Sequence, residues 1–314
     1  MTRLLVAPDS FKGTFSAVDV AEAIGRGAAR AGAMVDLCPV ADGGEGTMEA
    51  LGGRTLCGRA HDPLGRPIEA AYSVLDDRRA VVEMAAASGL GLLADDERDP
   101  WAASTYGTGE LIRAAVDAGA PEVLVAVGGS ATVDGGRGAL EAIGELDASI
   151  VVLCDVQTPW ECCAEVFGPQ KGADPQMVRR LAERLDVFAR ELPRDPRGVA
   201  MTGAAGGLSG GLWAGLGASL VPGAPYVLDV VGFDERLHAA DAVIAGEGKL
   251  DSQSLMGKIV GEIASRARQA KKPVHAIVGV DALDDEASLA SVTEATTLAE
   301  LEAAGERLVE DLVA

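Results

Sequence analysis

The chain has 314 residues, is 48% hydrophobic and only 4% aromatic, and carries a formal net charge of −21. That length and apolar content build an aliphatic core of one large or two ordinary domains, and 40 clustered rather than periodic glycines exclude a fibrous chain. Such acidity repels nucleic-acid phosphates and anionic lipid, so neither is an expected partner, and any anion site must be made locally from lysine, backbone N–H groups or metal.

Residues 3–7 form a short apolar run closed by Pro8, the pattern of a buried strand. Ser16, with Asp19 three residues on, is a capping-box signal for a helix over 17–32 with an apolar stripe at Val18, Ala21, Ile24 and Ala28, stopped by Gly32. A second strand over 34–40 runs into the loop Ala41-Asp-Gly-Gly-Glu-Gly-Thr47, so the first 50 residues make a βαβ unit and imply a parallel sheet. Residues 54–84 alternate and are broken by Pro63-Leu-Gly-Arg66 and Asp76-Asp-Arg-Arg79, which predicts antiparallel strands. A helix over 108–118 ends at Gly119, a buried strand from 122 enters a second glycine-rich loop, another strand starts at 149, and 175–192 is helical. Residues 203–223 read as a glycine-punctuated helix or loop–helix. From about 226 the alternation returns, with a strand and loop over 241–248, a helix over 255–270, a strand over 273–280 and a closing helix over 297–313. The simplest topology is α/β with two α/β domains. Residues 1–52 and 226–314 form a discontinuous parallel-sheet domain, and 53–225 an inserted mixed α/β domain.

Five cysteines, at 38, 57, 154, 162 and 163, are odd in number and form no C-x-x-C pair. They read as thiols of a reducing compartment, the cytoplasm, and not as a disulfide framework. His61, His238 and His275 are isolated and give no metal cluster. Charges and glycines interrupt every apolar stretch before it reaches membrane-spanning length, so no membrane association is expected.

Five segments place glycine with acids, hydroxyls or lysine just past a strand or at a helix start: Asp9-Ser-Phe-Lys-Gly13, Asp42-Gly-Gly-Glu-Gly-Thr47, Gly128-Gly-Ser-Ala-Thr132 with Asp134-Gly-Gly136, Gly168-Pro-Gln-Lys-Gly172, and Gly246-Glu-Gly-Lys-Leu-Asp251 with Gly257-Lys258. Glycine lets backbone N–H groups approach an anion. Carboxylates in the same loops suit Mg²⁺ bridging to phosphate, or a proton taken from a nucleophilic hydroxyl. Four of the six lysines, Lys12, Lys171, Lys249 and Lys258, stand in or beside these segments. No Walker-type, dinucleotide or G-x-S-x-G signature is present.

Taken in order, these segments, together with Glu83-Met-Ala-Ala-Ala-Ser-Gly-Leu90, Gly107-Thr-Gly-Glu-Leu-Ile112 and Gly203-Ala-Ala-Gly-Gly207, resemble the bacterial glycerate kinase family of type 1 from residue 4 to about 280. The resemblance implies two α/β domains, one flavodoxin-like with a parallel sheet and the second inserted in it. It implies transfer of the ATP γ-phosphoryl group to D-glycerate, giving 2-phosphoglycerate, with Mg²⁺, and leaves room for a homodimer. On this basis Asp42 is the expected proton acceptor with Asp251 second, and Lys12 contacts carboxylate or phosphate. Glu247 and Asp251 hold the metal. Asp9, Ser10, Gly43, Gly44, Glu45, Gly128, Gly129, Ser130, Thr132, Lys171, Gly206, Gly207 and Lys258 bind substrate or nucleotide. The chain departs from the family pattern in four places. Val133 and Thr158 stand where the family has Asn, the stretch from Ala142 to Ile150 is short, and Glu161-Cys-Cys-Ala164 replaces a glycine-containing segment. A kinase for another small hydroxy acid, or a silent ligand-binding paralogue, are the alternatives.

Overall fold

The structure, a computed structural model, describes residues 1–251, 254, 258–283 and 289–313. Residues 252, 253 and 255–257, which include Gly257 of the last glycine-rich segment and the expected helix start, lie outside the described residues. The chain forms two compact units, one of Met1–Asp42, Glu49–Leu51 and Ala224–Ala314, the other of Gly43–Met48 and Gly52–Gly223. Their strands in chain order are β1 (Arg3–Pro8), β2 (Met34–Leu37), β3 (Arg54–His61), β4 (Pro67–Val74), β5 (Ala80–Glu83), β6 (Glu122–Ala126), β7 (Ser149–Cys154), β8 (Ser219–Pro222), β9 (Ala242–Leu250), β10 (Val274–Asp281) and β11 (Ser291–Glu294).

In the first unit the sheet runs β2-β1-β9-β10-β11, every pair parallel. Numbered within the unit this is 2-1-3-4-5, the flavodoxin order, whose switch point lies between the first and third strands. Both faces are covered, as a parallel sheet requires. Leu4, Val6 and Ile244 pack with helices Ala17–Arg30 and Leu298–Val313. Leu5, Ala7 and Val243 pack with helices Phe233–Ala239 and Ile259–Gln269. Alternate residues of β1 therefore serve opposite layers, which is why the strand is apolar without interruption. The Ser16 capping box forms as expected: the Asp19 N–H donates to Ser16 Oγ, and the Asp19 carboxylate accepts from the Ser16 N–H. In the apolar stripe, Val20 is buried where Val18 was expected and Val18 is half-buried.

The second unit holds a six-stranded mixed sheet in sequential order, β3 to β8. β3–β4 and β4–β5 are antiparallel, and the remaining pairs are parallel. Helices Tyr106–Asp117, Arg137–Ile143 and Leu208–Leu216 share one apolar cluster with the sheet. Helix Pro175–Glu191 closes a smaller cluster around Trp160, Leu181 and Leu185. The glycine-punctuated 203–223 segment ends in strand β8, which its shortness hid from periodicity, and β11 escaped notice for the same reason.

Candidate active site

The carboxyl ends of the first unit's parallel strands surround a pocket of about 460 Å³. It lies at the switch point, where open α/β sheets bind ligands. β1 delivers Asp9 and Ser10, with the Asp9 N–H donating to Gly246 O of β9 at 2.8 Å. A tight turn follows, closed by reciprocal bonds between Phe11 and Phe15, and it presents Lys12, whose side chain is 60% exposed. The loop after β2 delivers Asp42, only 6% exposed, 3.8 Å from Lys12 Nζ. β9 delivers Glu247, Lys249 and Asp251, with Lys249 Nζ 3.4 Å from Asp251. Lys258 immediately precedes the helix Ile259–Gln269, makes no side-chain capping bond to it, and lines the pocket.

The expected loop at 246–251 is largely strand. β9 runs to Leu250 because Glu247 and Lys249 stay in register with Val278 and Val280 of β10. Strand pairing thus fixes these side chains along an extended edge. Gly279 and Thr296 complete the lining and were not anticipated. Thr296 follows the short β11, and its N–H and hydroxyl are both taken by Glu300.

Two carboxyls of the pocket are raised toward neutral pH. Burial, and then the neighbouring Asp42, push the Asp9 carboxyl up to about 8, against the Ser10 N–H and Lys12. Burial pushes Glu247 up to about 7, opposed by Ser254 and Lys258. Glu247 Oε1 is buried with no hydrogen-bond partner among the described residues. Carboxylates held in this range exchange protons or attract cations at physiological pH. A hard cation such as Mg²⁺ takes oxygen donors and keeps its remaining positions for water and phosphate. Glu247 and Asp251 offer such oxygens. Among the described residues no group of three or more His, Cys, Asp or Glu is arranged as a metal site.

The remaining expected site residues lie in the second unit. Gly43 O accepts from the Val127 N–H at 3.0 Å, bringing the 43–47 loop against the 128–132 loop. A Cβ on Gly128 would meet Gly44 Cα at 2.7 Å, and one on Gly129 would meet Glu45 Oε1 at 1.9 Å. Gly206, at φ +64°, packs on Thr132 O, which a Cβ would approach to 2.0 Å. Its neighbour Gly207 has φ +89°. These glycines serve loop-to-loop contact. Lys171, which follows Pro169 in a single helical turn, is 1% exposed, and its Nζ donates to Ser130 Oγ at 2.6 Å and Thr132 O at 2.7 Å. Asp134 is consumed locally, accepting from the N–H and hydroxyl of Thr105 and from the N–H groups of Gly136 and Gly138. In the Gly107-Thr-Gly-Glu motif, Gly107 packs against His61 O and Glu110 accepts from the His61 N–H. Trp160, Cys154 and Cys163 are core residues. Among the described residues no helix is long and apolar enough to cross a membrane.

Fold and pocket define an α/β protein with an acid-and-lysine pocket at the switch point of a flavodoxin-ordered sheet. The comparisons with known proteins are more specific. The model of the glycerate kinase family matches residues 4–148 and 145–312, and the chain belongs to that family. The chain is 39% identical to a glycerate kinase of Bacillus subtilis, covering 91% of this chain and 87% of that protein. It is 36% identical to a glycerate 2-kinase of Escherichia coli, covering 88% and 85%. The crystal structure of a candidate glycerate kinase 2 from Salmonella typhimurium LT2 superposes with a TM-score of 0.86 at 35% identity, covering 99% of this chain and 98% of the other. The Bacillus alignment spans 331 residues, more than this chain contains, so the relative carries residues within the aligned region that this chain lacks.

Proposed function

We propose that the protein transfers the γ-phosphoryl group of ATP to D-glycerate, giving 2-phosphoglycerate. The observation that carries the reading is the convergence of Asp9, Asp42, Glu247, Lys12 and Lys258 on one switch-point pocket in a member of the glycerate kinase family. The glycerate hydroxyl oxygen forms a bond to the γ-phosphorus as the bond to the β–γ bridging oxygen breaks, and ADP leaves with that oxygen. The hydroxyl proton passes to a carboxylate, Asp42 first and Asp251 second, with Asp9 and Glu247 the groups whose affinity for a proton is tuned toward neutrality. Lys12 and Lys258 neutralise substrate charge, which the protein's net charge opposes. Mg²⁺, when bound by Glu247 and Asp251, supplies charge neutralisation at the phosphates. Positioning and charge, not covalent chemistry, lower the barrier.

The division into domains at 1–52 with 226–314 and 53–225 belongs to the same proposal, as do a cytoplasmic setting and the absence of a nucleic-acid partner, for which the net charge of −21 is the support. A second reading, a kinase for another small hydroxy acid, is favoured by one feature. Only the five residues 144–148 connect helix Arg137–Ile143 to β7, where the family sequence is longer. The test is ADP release with ATP and a panel of hydroxy acids, the product being identified by phosphorus NMR. D-glycerate is expected to be the best acceptor, and Asp42→Asn or Lys12→Ala to lower its turnover by on the order of 10²-fold without unfolding. A folded wild-type chain inactive on D-glycerate overturns the function, and near-normal turnover in both variants overturns the roles.

A further inference from the structure

We propose that β3 is an interaction edge whose partner is the β3 of a second copy of this chain, paired antiparallel about a two-fold axis at Cys57. The two sheets leave four edge strands, β2, β11, β8 and β3. Edges that stay free are blunted by shortness, proline, lysine or a covering element. β2, β8 and β11 are four residues each, and β8 ends in Pro222. β3 is eight residues long, with no proline and no lysine. Its pairing with β4 shows which backbone groups are left over. The Asp62 N–H donates to Arg66 O at 2.8 Å, so the hairpin closes on a hydrogen-bonded pair. Alternation then turns Ala60, Gly58 and Leu56 toward Ile68, Ala70 and Tyr72 of β4, and turns the N–H and C=O groups of Thr55, Cys57, Arg59 and His61 outward. The His61 N–H is taken by Glu110. Among the described residues, nothing bonds to the outward groups of Thr55, Cys57 and Arg59.

A second copy fits this edge by charge, by register and by space. At a net charge of −21, acid-rich surfaces of two copies repel, but β3 holds no acid, and its two cations, Arg54 and Arg59, alternate onto opposite faces. A register centred on Cys57 engages all three open residues. Thr55 faces Arg59 of the second copy, Cys57 faces Cys57, and Arg59 faces Thr55, each hydrogen-bonded pair exchanging two bonds. Shifting the register in either direction leaves one of the three without an open counterpart. No arginine opposes another in the centred register, and Glu69 stands across from Arg59 on its own β4, so the face carries both signs. The side chains of Thr55, Cys57 and Arg59 are exposed. They point away from helix Tyr106–Asp117, whose Leu111 packs on the Gly58 face of the strand. The pairing joins two six-stranded sheets edge to edge.

The experiment uses the full chain and its Cys57→Lys, Cys57→Pro and Cys57→Ser variants, with sedimentation equilibrium across a range of concentrations, diamide cross-linking, and circular dichroism to verify folding. Wild type is expected to sediment at twice the mass of the single chain. In the proposed register the two Cys57 Cα atoms stand about 5.5 Å apart, a separation that a disulfide spans. Diamide, which takes up the two thiol hydrogens, should therefore link wild type into a covalent dimer and leave Cys57→Ser unlinked. Cys57→Lys sets two ammonium groups face to face, and Cys57→Pro removes an outward N–H without touching the β3–β4 ladder. Each should sediment as a monomer with its fold intact. A wild type that is monomeric at every concentration overturns the proposal, as does a dimer that persists in folded Cys57→Lys or folded Cys57→Pro. If Cys57→Pro does not fold, Cys57→Lys decides alone, because residue 57 is exposed. A dimer lost in the folded variants but never linked by diamide overturns the register centred on Cys57.

Discussion

In the first unit the buried ionisable groups line an opening, whereas in the second they are hydrogen-bonded to the loops around them. Asp9, Asp42 and Glu247 stand at strand ends around a pocket, and burial drives Asp9 and Glu247 toward neutrality. Lys171 and Asp134 sit among close-packed loops, Lys171 donating to Ser130 Oγ and Thr132 O and Asp134 accepting from Thr105 and the Gly136 N–H. The contrast separates two uses of the same residue types. Around a pocket, charge is placed to act on a ligand. Under a loop, charge is spent on geometry. The two arrangements also respond to pH with opposite sign. The stability contributed by Asp9, raised from 3.8 to about 8, is present below the unfolded value and lost as pH rises through the folded one. That of Lys171, lowered from 10.5 to about 8, is present above the unfolded value and lost as pH falls through the folded one.

Asp9→Asn tests the first side of the contrast and should have the largest effect. Turnover is expected to fall by on the order of 10²-fold or more, since the pocket loses a carboxylate at its switch point. The same change removes a buried group that resists ionisation. The variant should therefore melt a few degrees above wild type at pH 8, and by a clearly smaller margin at pH 4.5, where Asp9 is protonated in the folded chain and only the unfolded chain ionises it. Scanning calorimetry at the two pH values checks the sign. An equal melting difference at both would show that Asp9 is not carrying the proton assigned to it.

Gly206→Ala tests the second side. A Cβ there would press on Thr132 O at a backbone φ of +64°, where an L side chain is already strained. The expected loss is about 3 kcal/mol of stability, read from a urea midpoint. An unchanged midpoint would mean that the loops have room, and that the glycine exists for a ligand's approach instead of for packing.

The elements of both sheets were legible where apolar runs were long. β1, β6, β7 and β10 are interior strands with almost no polar interruption, and the Ser16–Asp19 capping box announces its helix. β8 and β11, four residues each, were not, because four residues establish no period. The site was legible as residue types but not as a partition. Glycine beside acid and lysine at strand ends appears in the sequence with the same grammar at 9–13, 42–47, 128–136, 168–172 and 246–251. Only the fold sends the first and last of these to the pocket with Asp42, and commits Lys171 and Asp134 to interior hydrogen bonds. Side-chain burial depends on contacts between residues distant in sequence, such as the 41 positions separating Lys171 from Ser130, and no local pattern encodes it.

The Gly107-Thr-Gly-Glu-Leu-Ile segment is the sharpest case of a family motif whose chemistry is internal, and it gives the smallest predicted effect. Gly107 lets its helix close on the end of β3, because a Cβ there would stand 1.8 Å from His61 O. Glu110, one turn along, accepts from the His61 N–H at 2.8 Å and lies 3.0 Å from His61 Nδ1. Both side chains are partly exposed, at 24% and 42%, so solvent screens the pair and its charge contributes little. Glu110→Gln keeps an acceptor for the backbone N–H and removes only that charge. It should cost less than about 1 kcal/mol in a urea melt and leave kcat and KM within about twofold of wild type. A tenfold fall in kcat with the melt unchanged would move this motif from the second kind of use to the first, because an acid spent purely on geometry has no route to the rate except through stability.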